Sequence, residues 1–270
     1  MSDLQSKDLL PKRIVCLTEE TTEWLYLLGE DWRIVGVSGF TQRPKKARYE
    51  KPRVSTFLNA KIDKILDLKP DWIVGFSDMQ ANIANDLIRE GLPVTIYNQR
   101  SLDEIFSTLY QIAVTVGKGD LGLQKLNEMR ERLDAIQVAG QQFSRRPRVY
   151  FEEWDEPKIS AIRWVSELIQ IAGGDNCFEA ESRESGAMNR VVTDEAVIAR
   201  DPEIVVGSWC GKKFLPRVVA NRAGWEQITA VKTNQLYEVD SLIILQPGPA
   251  SLLEGIEALH QIFKSWQSDQ

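Results

Sequence analysis

Cys210 is the residue whose type and neighbours most invite chemistry. It lies in GSWCGKKF, just ahead of Lys212 and Lys213, and nearby cations lower a thiol's pKa and sharpen its nucleophilicity. A cysteine nucleophile also needs a base. The sequence holds one histidine, His260, placed among the apolar residues of a predicted C-terminal helix, so no Cys-His or Ser-His-Asp constellation forms without it. Cys16, Cys177 and Cys210 are far apart and make no CxxC, which argues against structural zinc and against a disulfide framework. Glu19-Glu20 and Glu152-Glu153 are paired carboxylates, but no histidine or DxD cluster accompanies them, so no metal site is expected. Neighbours at a strand end point to opposite faces, so one of each pair at most faces a cleft. Exposure, or pairing with basic residues, is the expectation for both pairs.

The other candidates suit binding. Phe40, Phe57, Trp154, Trp164 and Trp209 fall at or near predicted strand ends, where flat aromatic side chains can wall a large ring-rich ligand with little rotamer entropy to lose. Arg43, Arg163, Lys212 and Lys213 form a candidate cationic rim for carboxylates, phosphates or the negative charge of an iron chelate. Gln99 follows a predicted strand and Gln246 follows the apolar run 242–245. Cys210 is also a candidate soft ligand to a bound cobalt or iron centre. Trp24, Trp72 and Cys16, inside predicted elements, read as core.

These residues need elements to position them. Short apolar runs at 13–17, 33–37, 72–76 and 94–97 read as strands, with helices at 18–28, 62–68 and 82–90 between them and a loop at 39–52. Strands alternating with helices imply a parallel α/β sheet. Two helical stretches follow, with apolar positions at Leu102, Ile105, Leu109 and Ile112, then at Leu126, Met129, Leu133 and Ile136. The alternation restarts with strands at 149–151, 204–206 and 236–239, helices at 165–172 and 195–199, and a closing helix at 250–266. In that reading Glu152 to Asp155 belong to a loop, as do Arg163 and Trp164. IDKILDLKPDWIVGF and DEAVIARDPEIVVGS superpose when Pro70 is set on Pro202, an offset of 132 residues that pairs Asp63 with Glu195 and Gly75 with Gly207. That internal repeat implies two related lobes. A cleft between such lobes is the default ligand site, and a single helical connection limits their closure.

Composition narrows the function classes. Across 270 residues, 43% are hydrophobic and 27% charged, the balance of a soluble globular protein. A net charge of −6 argues against a nucleic-acid partner. No apolar run is long enough to span a bilayer, so no membrane insertion is expected. The opening MSDLQSKDLLPKR has no signal-peptide core, so the sequence as written reads as cytoplasmic, or as periplasmic if a leader has been removed.

RIVCLTEETTEWLYLLGEDWRIVGVSGF, KPRVSTF, IDKILDLKPDWIVGF and VYFEEWDEPKISAIRWVSELIQIAGGDNCF together resemble, in order, the blocks of the helical-backbone metal-receptor family. These are substrate-binding proteins of ABC importers for cobalamin, ferric siderophores and haem, and the pattern is most like the cobalamin receptors. The resemblance implies an α/β fold of two Rossmann-like lobes joined by one long backbone helix, the class III architecture, with an N-terminal lobe at 1–115, the helix at 116–146 and a C-terminal lobe at 147–270. It also implies a non-catalytic, monomeric binding protein that requires no cofactor and holds cobalamin or another metal chelate in the inter-lobe cleft. Its partner would be an ABC permease, met by Asp63 on one lobe and Glu195 on the other. GSWCGKKF and ILQPGPAS depart from the cobalamin-receptor pattern, and the basic rim exceeds what a neutral corrinoid needs. Two alternatives therefore stay open: a cytosolic enzyme using Cys210 and the basic rim on a small anionic substrate, and an interaction module without a small ligand.

Overall fold

Apolar runs too short for helices become buried strands, because a parallel sheet covered on both faces needs near-continuous hydrophobic sequence. In the computed structural model, which describes residues 9–268, β1 (Ile14–Cys16), β2 (Ile34–Ser38), β3 (Arg53–Ser55), β4 (Trp72–Phe76) and β5 (Val94–Tyr97) form a parallel sheet in the order β3-β2-β1-β4-β5. The intervening helices are α1 (Glu19–Leu27), α2 (Lys45–Glu50), α3 (Ile62–Asp67) and α4 (Ala81–Arg89), followed by α5 (Leu102–Thr115). Val15, Leu17 and Ile73 of the sheet pack against Ile65, Ile83 and Leu87 of the helices. The chain winds from β1 outward to β3, then returns to place β4 on the other side of β1. That reversal makes the loops after β1 and β4 a topological switch point.

The segment 39–52, expected as a loop, contains α2. Pro44 fixes the backbone before its first turn, where no intrahelical donor is missed. Arg53–Ser55 adds an edge strand.

The chain divides into two units, Met1–Glu128 and Met129–Gln270, and the division falls within α6 (Gly119–Gln141). Leu126, Met129, Leu133 and Ile136 of α6 are all buried, as their helical spacing requires.

In the second unit β6 (Arg148–Asp155), β7 (Lys158–Ser160), β8 (Asp175–Asn176), β9 (Ile204–Gly207) and β10 (Leu236–Glu238) form a sheet in the order β10-β9-β6-β7, with β8 also paired to β6. Its helices are α7 (Arg163–Ala172), α8 (Glu179–Ser182), α9 (Asp194–Arg200), α10 (Pro216–Ala220), α11 (Thr229–Lys232), α12 (Ser241–Ile244) and α13 (Ile256–Ser268). One expectation changes here, and two details are added. Glu152 to Asp155 continue strand β6 instead of forming a loop, because β7 pairs antiparallel with them. The apolar run 242–245 lies mostly in α12, a helix. The closing helix begins with a wider π turn at Ser251–Gly255 before α13.

The 132-residue repeat has a backbone signature. Lys69 and Asp201, each just before the repeat proline, both take left-handed conformations, with φ of 47° and 41°. Such conformations cost non-glycine residues about 1 kcal/mol or more, so the shared path is imposed by its surroundings. The paired glycines are also matched. A Cβ on Gly75 would lie 2.3 Å from Gln80 Oε1, and one on Gly207 would lie 1.8 Å from the Phe214 ring. In both units a side chain from the segment after the strand, Gln80 after β4 and Phe214 after β9, takes the space that a Cβ would need.

Candidate functional site

In an open parallel sheet, ligands bind at loops beyond the carboxyl ends of the strands. In the first unit Gln80 holds those loops together. Its Nε2 donates to Leu17 O and Phe57 O, both at 3.3 Å, and its Oε1 accepts from Phe76 N at 3.2 Å. The ends of β1 and β4 and the loop after β3 are thereby tied to one fully buried amide. Nothing in its local sequence marks Gln80; only the demand for glycine at position 75 hints at a side chain arriving there. Phe40 is exposed on the turn after β2, and Phe57 is half-buried. Arg43 Nε donates to Glu23 Oε1 at 2.9 Å, and Gln99 is buried after β5.

Glu19 and Glu20 open α1, and the structure corrects their expected exposure. Both carboxyls are buried, and among the described residues neither forms an ion pair. Thr18 Oγ1 donates to Glu20 Oε1 at 2.6 Å, and Ser38 Oγ lies 3.5 Å from Glu19 Oε1. Burial, opposed in part by the Thr18 bond and reinforced by the neighbouring Glu19, pushes Glu20 up to about 8. Burial raises Glu19 as well.

In the second unit the pair Glu152-Glu153 divides between two faces, as alternation along a strand requires. Glu152 is fully buried and receives four donors: Arg222 Nη1 and Nη2 at 2.6 and 2.8 Å, Tyr150 Oη at 2.9 Å and Trp209 Nε1 at 3.2 Å. Glu153 accepts a fork from Arg190 at 2.6 and 3.1 Å. Arg222 and Arg190 were not among the sequence candidates, because both lie far along the chain from the strand they serve.

The predicted aromatic walls separate into two kinds. Trp209 belongs to the core, packed edge-on against Phe214 at 5.1 Å with its indole bound to Glu152. Trp164 is also core; its indole donates to Ile244 O at 3.0 Å. Trp164 is packed because α7 starts at Arg163, one residue earlier, while Trp209 stays in the segment after β9 and is held in the core by Phe214 and Glu152. Trp154 remains half-buried. Lys212 lies over the rings of Trp154 and Trp209, at 5.0 and 4.9 Å, and donates to Asp155 Oδ2 at 2.5 Å. Arg163 is no part of a loop rim: it opens α7 and pairs with Glu167 one turn along the same helix. Lys213 and Cys210 are exposed, and Gln246 is half-buried. His260 packs on Phe143 and bonds to Ala172 O at 3.1 Å, a structural assignment that offers Cys210 no base. Asp63 and Glu195 are exposed in the first turns of α3 and α9.

Among the described residues no helix is long and apolar enough to cross a membrane, and no group of three or more His, Cys, Asp or Glu is arranged to hold a metal ion.

The chain is 28% identical over 259 residues to the uncharacterized ABC transporter substrate-binding lipoprotein YvrC of Bacillus subtilis (strain 168), covering 92% of this chain and 79% of that protein. It is 27% identical over 259 residues to the vitamin B12-binding protein of Vibrio cholerae serotype O1, covering 92% and 88%. Its fold matches a possible iron-binding (periplasmic solute-binding) protein of Staphylococcus epidermidis with a TM-score of 0.80 at 23% identity, over 93% of this chain and 98% of that one. With residues 14–242 matching the periplasmic binding protein model, and two doubly paired α/β units beneath that match, the chain belongs to the periplasmic binding protein family.

Proposed function

We propose that this protein binds a bulky metal complex, a corrinoid or a ferric siderophore, without catalysis and delivers it to an ABC permease. The observation that carries the reading is the likeness along nearly the whole chain to the vitamin B12-binding protein. Several exposed or half-buried side chains in or near the loops fit it. Phe40, Phe57 and Trp154 offer aromatic surface, while Arg43, Lys212 and Gln246 offer polar contacts. Arg43 and Lys212 already hold carboxylates, so a ligand that takes them must compete with Glu23 and Asp155. Cys210, which is exposed, completes the set as a flanking contact. Asp63 and Glu195 are the permease-docking residues. A place outside the cytoplasmic membrane accords with a relative named as a lipoprotein, and cell fractionation tests it.

The experiment is a titration of the purified protein with cobalamin, cobinamide, haem and ferric siderophores, followed by intrinsic fluorescence. Eight tryptophans make quenching sensitive. Saturable quenching at micromolar concentration by one class identifies the ligand. Flat responses to all of them overturn the reading.

A further inference from the structure

One stretch of the first unit opposes the charge of the rest of the chain. Residues 42–53 hold six Lys or Arg and a single acid, Glu50, in a chain of net charge −6. We propose that α2, with the turn that carries Trp32, is a surface that meets anionic phospholipid headgroups and holds the first unit against a membrane without inserting into it. The inference goes beyond the ligand reading and does not depend on it.

The local structure gathers the charges. Ala47 is fully buried and turns one side of α2 to the core. Lys45 and Tyr49 are one helical turn apart, so they share a face, and both are exposed. Lys46 is exposed too and pairs with Glu50 at 3.6 Å, the one acid of the stretch. Lys45 and Arg48 form no ion pair among the described residues. Arg53 Nη2 donates to Arg48 O at 3.4 Å, which brings an exposed residue of β3 beside the helix. Arg43 turns to Glu23 instead and is no part of this surface.

Exposed aromatic rings give the second, independent observation. Lys51 Nζ donates to Asp31 O at 2.8 Å, and this bond sets the turn 31–33 against the end of α2. Tyr26 reports the same nearness: burial, with the charges of Asp31 and Glu50, pushes its phenol up to about 12. On that turn Trp32 is 58% exposed, and Tyr49 on the helix is 80% exposed. The Arg33 guanidinium stacks on the Trp32 ring at 4.4 Å and steadies it there. Packing does not explain two large rings left in water beside five cations. Rings with a polar edge suit the headgroup level of a bilayer, apolar on one side and wet on the other. The cations supply attraction to anionic lipid, and the rings supply apolar contact. A soluble sulfated or phosphorylated polymer would use the cations and leave the rings idle, so a lipid surface accounts for more of the patch. Nucleic acid is disfavoured by the acidic remainder of the chain.

The test is co-sedimentation of the purified protein with phospholipid vesicles. Vesicles of phosphatidylcholine alone are compared with vesicles containing about 30% phosphatidylglycerol, at low salt and at about 0.5 M salt, where exposed charges are screened within a few ångströms. At low salt the protein should partition onto the anionic vesicles at least about tenfold more strongly than onto the neutral ones, and high salt should remove most of that difference. Lys45→Gln with Lys46→Gln should weaken the partition about tenfold. Tyr49→Ser should weaken it about threefold while leaving the binding of dextran sulfate unchanged. Equal partition onto both kinds of vesicle overturns the proposal. So does binding of dextran sulfate together with vesicle partition that Tyr49→Ser leaves untouched, since the patch would then be a general polyanion surface. Should a variant fail to fold, the wild-type comparison of vesicles still decides.

Discussion

Glu152 lies fully buried with a donor set that satisfies its charge from four directions, and Trp209 is one of the donors. Removing that indole opens a cavity beside Phe214 and strips one bond from a buried carboxylate, two of the mechanisms that give large losses. Trp209→Ala should therefore cost about 3–5 kcal/mol of stability, read by urea unfolding. An unchanged unfolding midpoint with a tenfold fall in ligand affinity would instead make Trp209 a ligand wall. Glu20 poses the opposite problem, a buried carboxyl that forms no ion pair among the described residues. Its folded pKa of about 8 stands above its ordinary 4.5, so the folded state holds a proton that the unfolded state has released. The sign follows. The penalty is absent below about pH 4.5, grows as pH rises through that window and is fully present above about pH 8. Glu20→Gln, which cannot ionise, should flatten the fall in melting temperature between pH 5 and 8. Parallel profiles for variant and wild type would show that Glu20 is ionised throughout.

Elements were legible wherever a local pattern decides them. The runs at 72–76 and 94–97 become β4 and β5 without adjustment, the first a fully buried strand and the second a half-buried edge strand, both written as short apolar stretches. Ser101 and Glu104 form a capping box at the start of α5, a signal written in four residues. The repeat at an offset of 132 was visible too, and the structure adds the matched left-handed residues before its prolines. What escaped depends on partners distant in sequence. Glu152 to Asp155 look like a loop until β7 is known to pair with them, and Trp209 looks like a wall until Phe214 and the buried Glu152 are known to meet it. Arg222 and Arg190 lie 70 and 37 residues from the carboxylates they hold. Burial of Glu19 and Glu20 opposed every compositional expectation, since acidic residues in a first helical turn ordinarily face water and the helix dipole. Such departures gather at the strand ends, where function and local rules most often conflict.

At the scale of the whole molecule, the repeat carries an acidic residue on each unit to an equivalent place. Asp63 and Glu195 are both exposed and both in the first turn of the helix that precedes a central strand. Hydrogen bonds from its own backbone amide and from Thr193 hold the carboxyl of Glu195 below the usual carboxylate range, which favours its charged form. Two repeat-related carboxylates suit a permease with two-fold symmetry, because the same basic pocket on each subunit can receive one of them. A helix first turn favours acidic residues in any case, so the charge alone decides nothing and the exchange must be made. Asp63→Lys with Glu195→Lys touches only exposed side chains and should change stability by less than about 1 kcal/mol in total. Ligand affinity of the purified double variant should stay within about twofold of wild type, while ligand uptake by cells falls at least tenfold, since like charges would now face the permease. Each single variant should fall between the two. Wild-type uptake by the double variant would place docking elsewhere on the surface, whereas lost uptake with lost affinity would mean that the exchange had disturbed the binding loops instead.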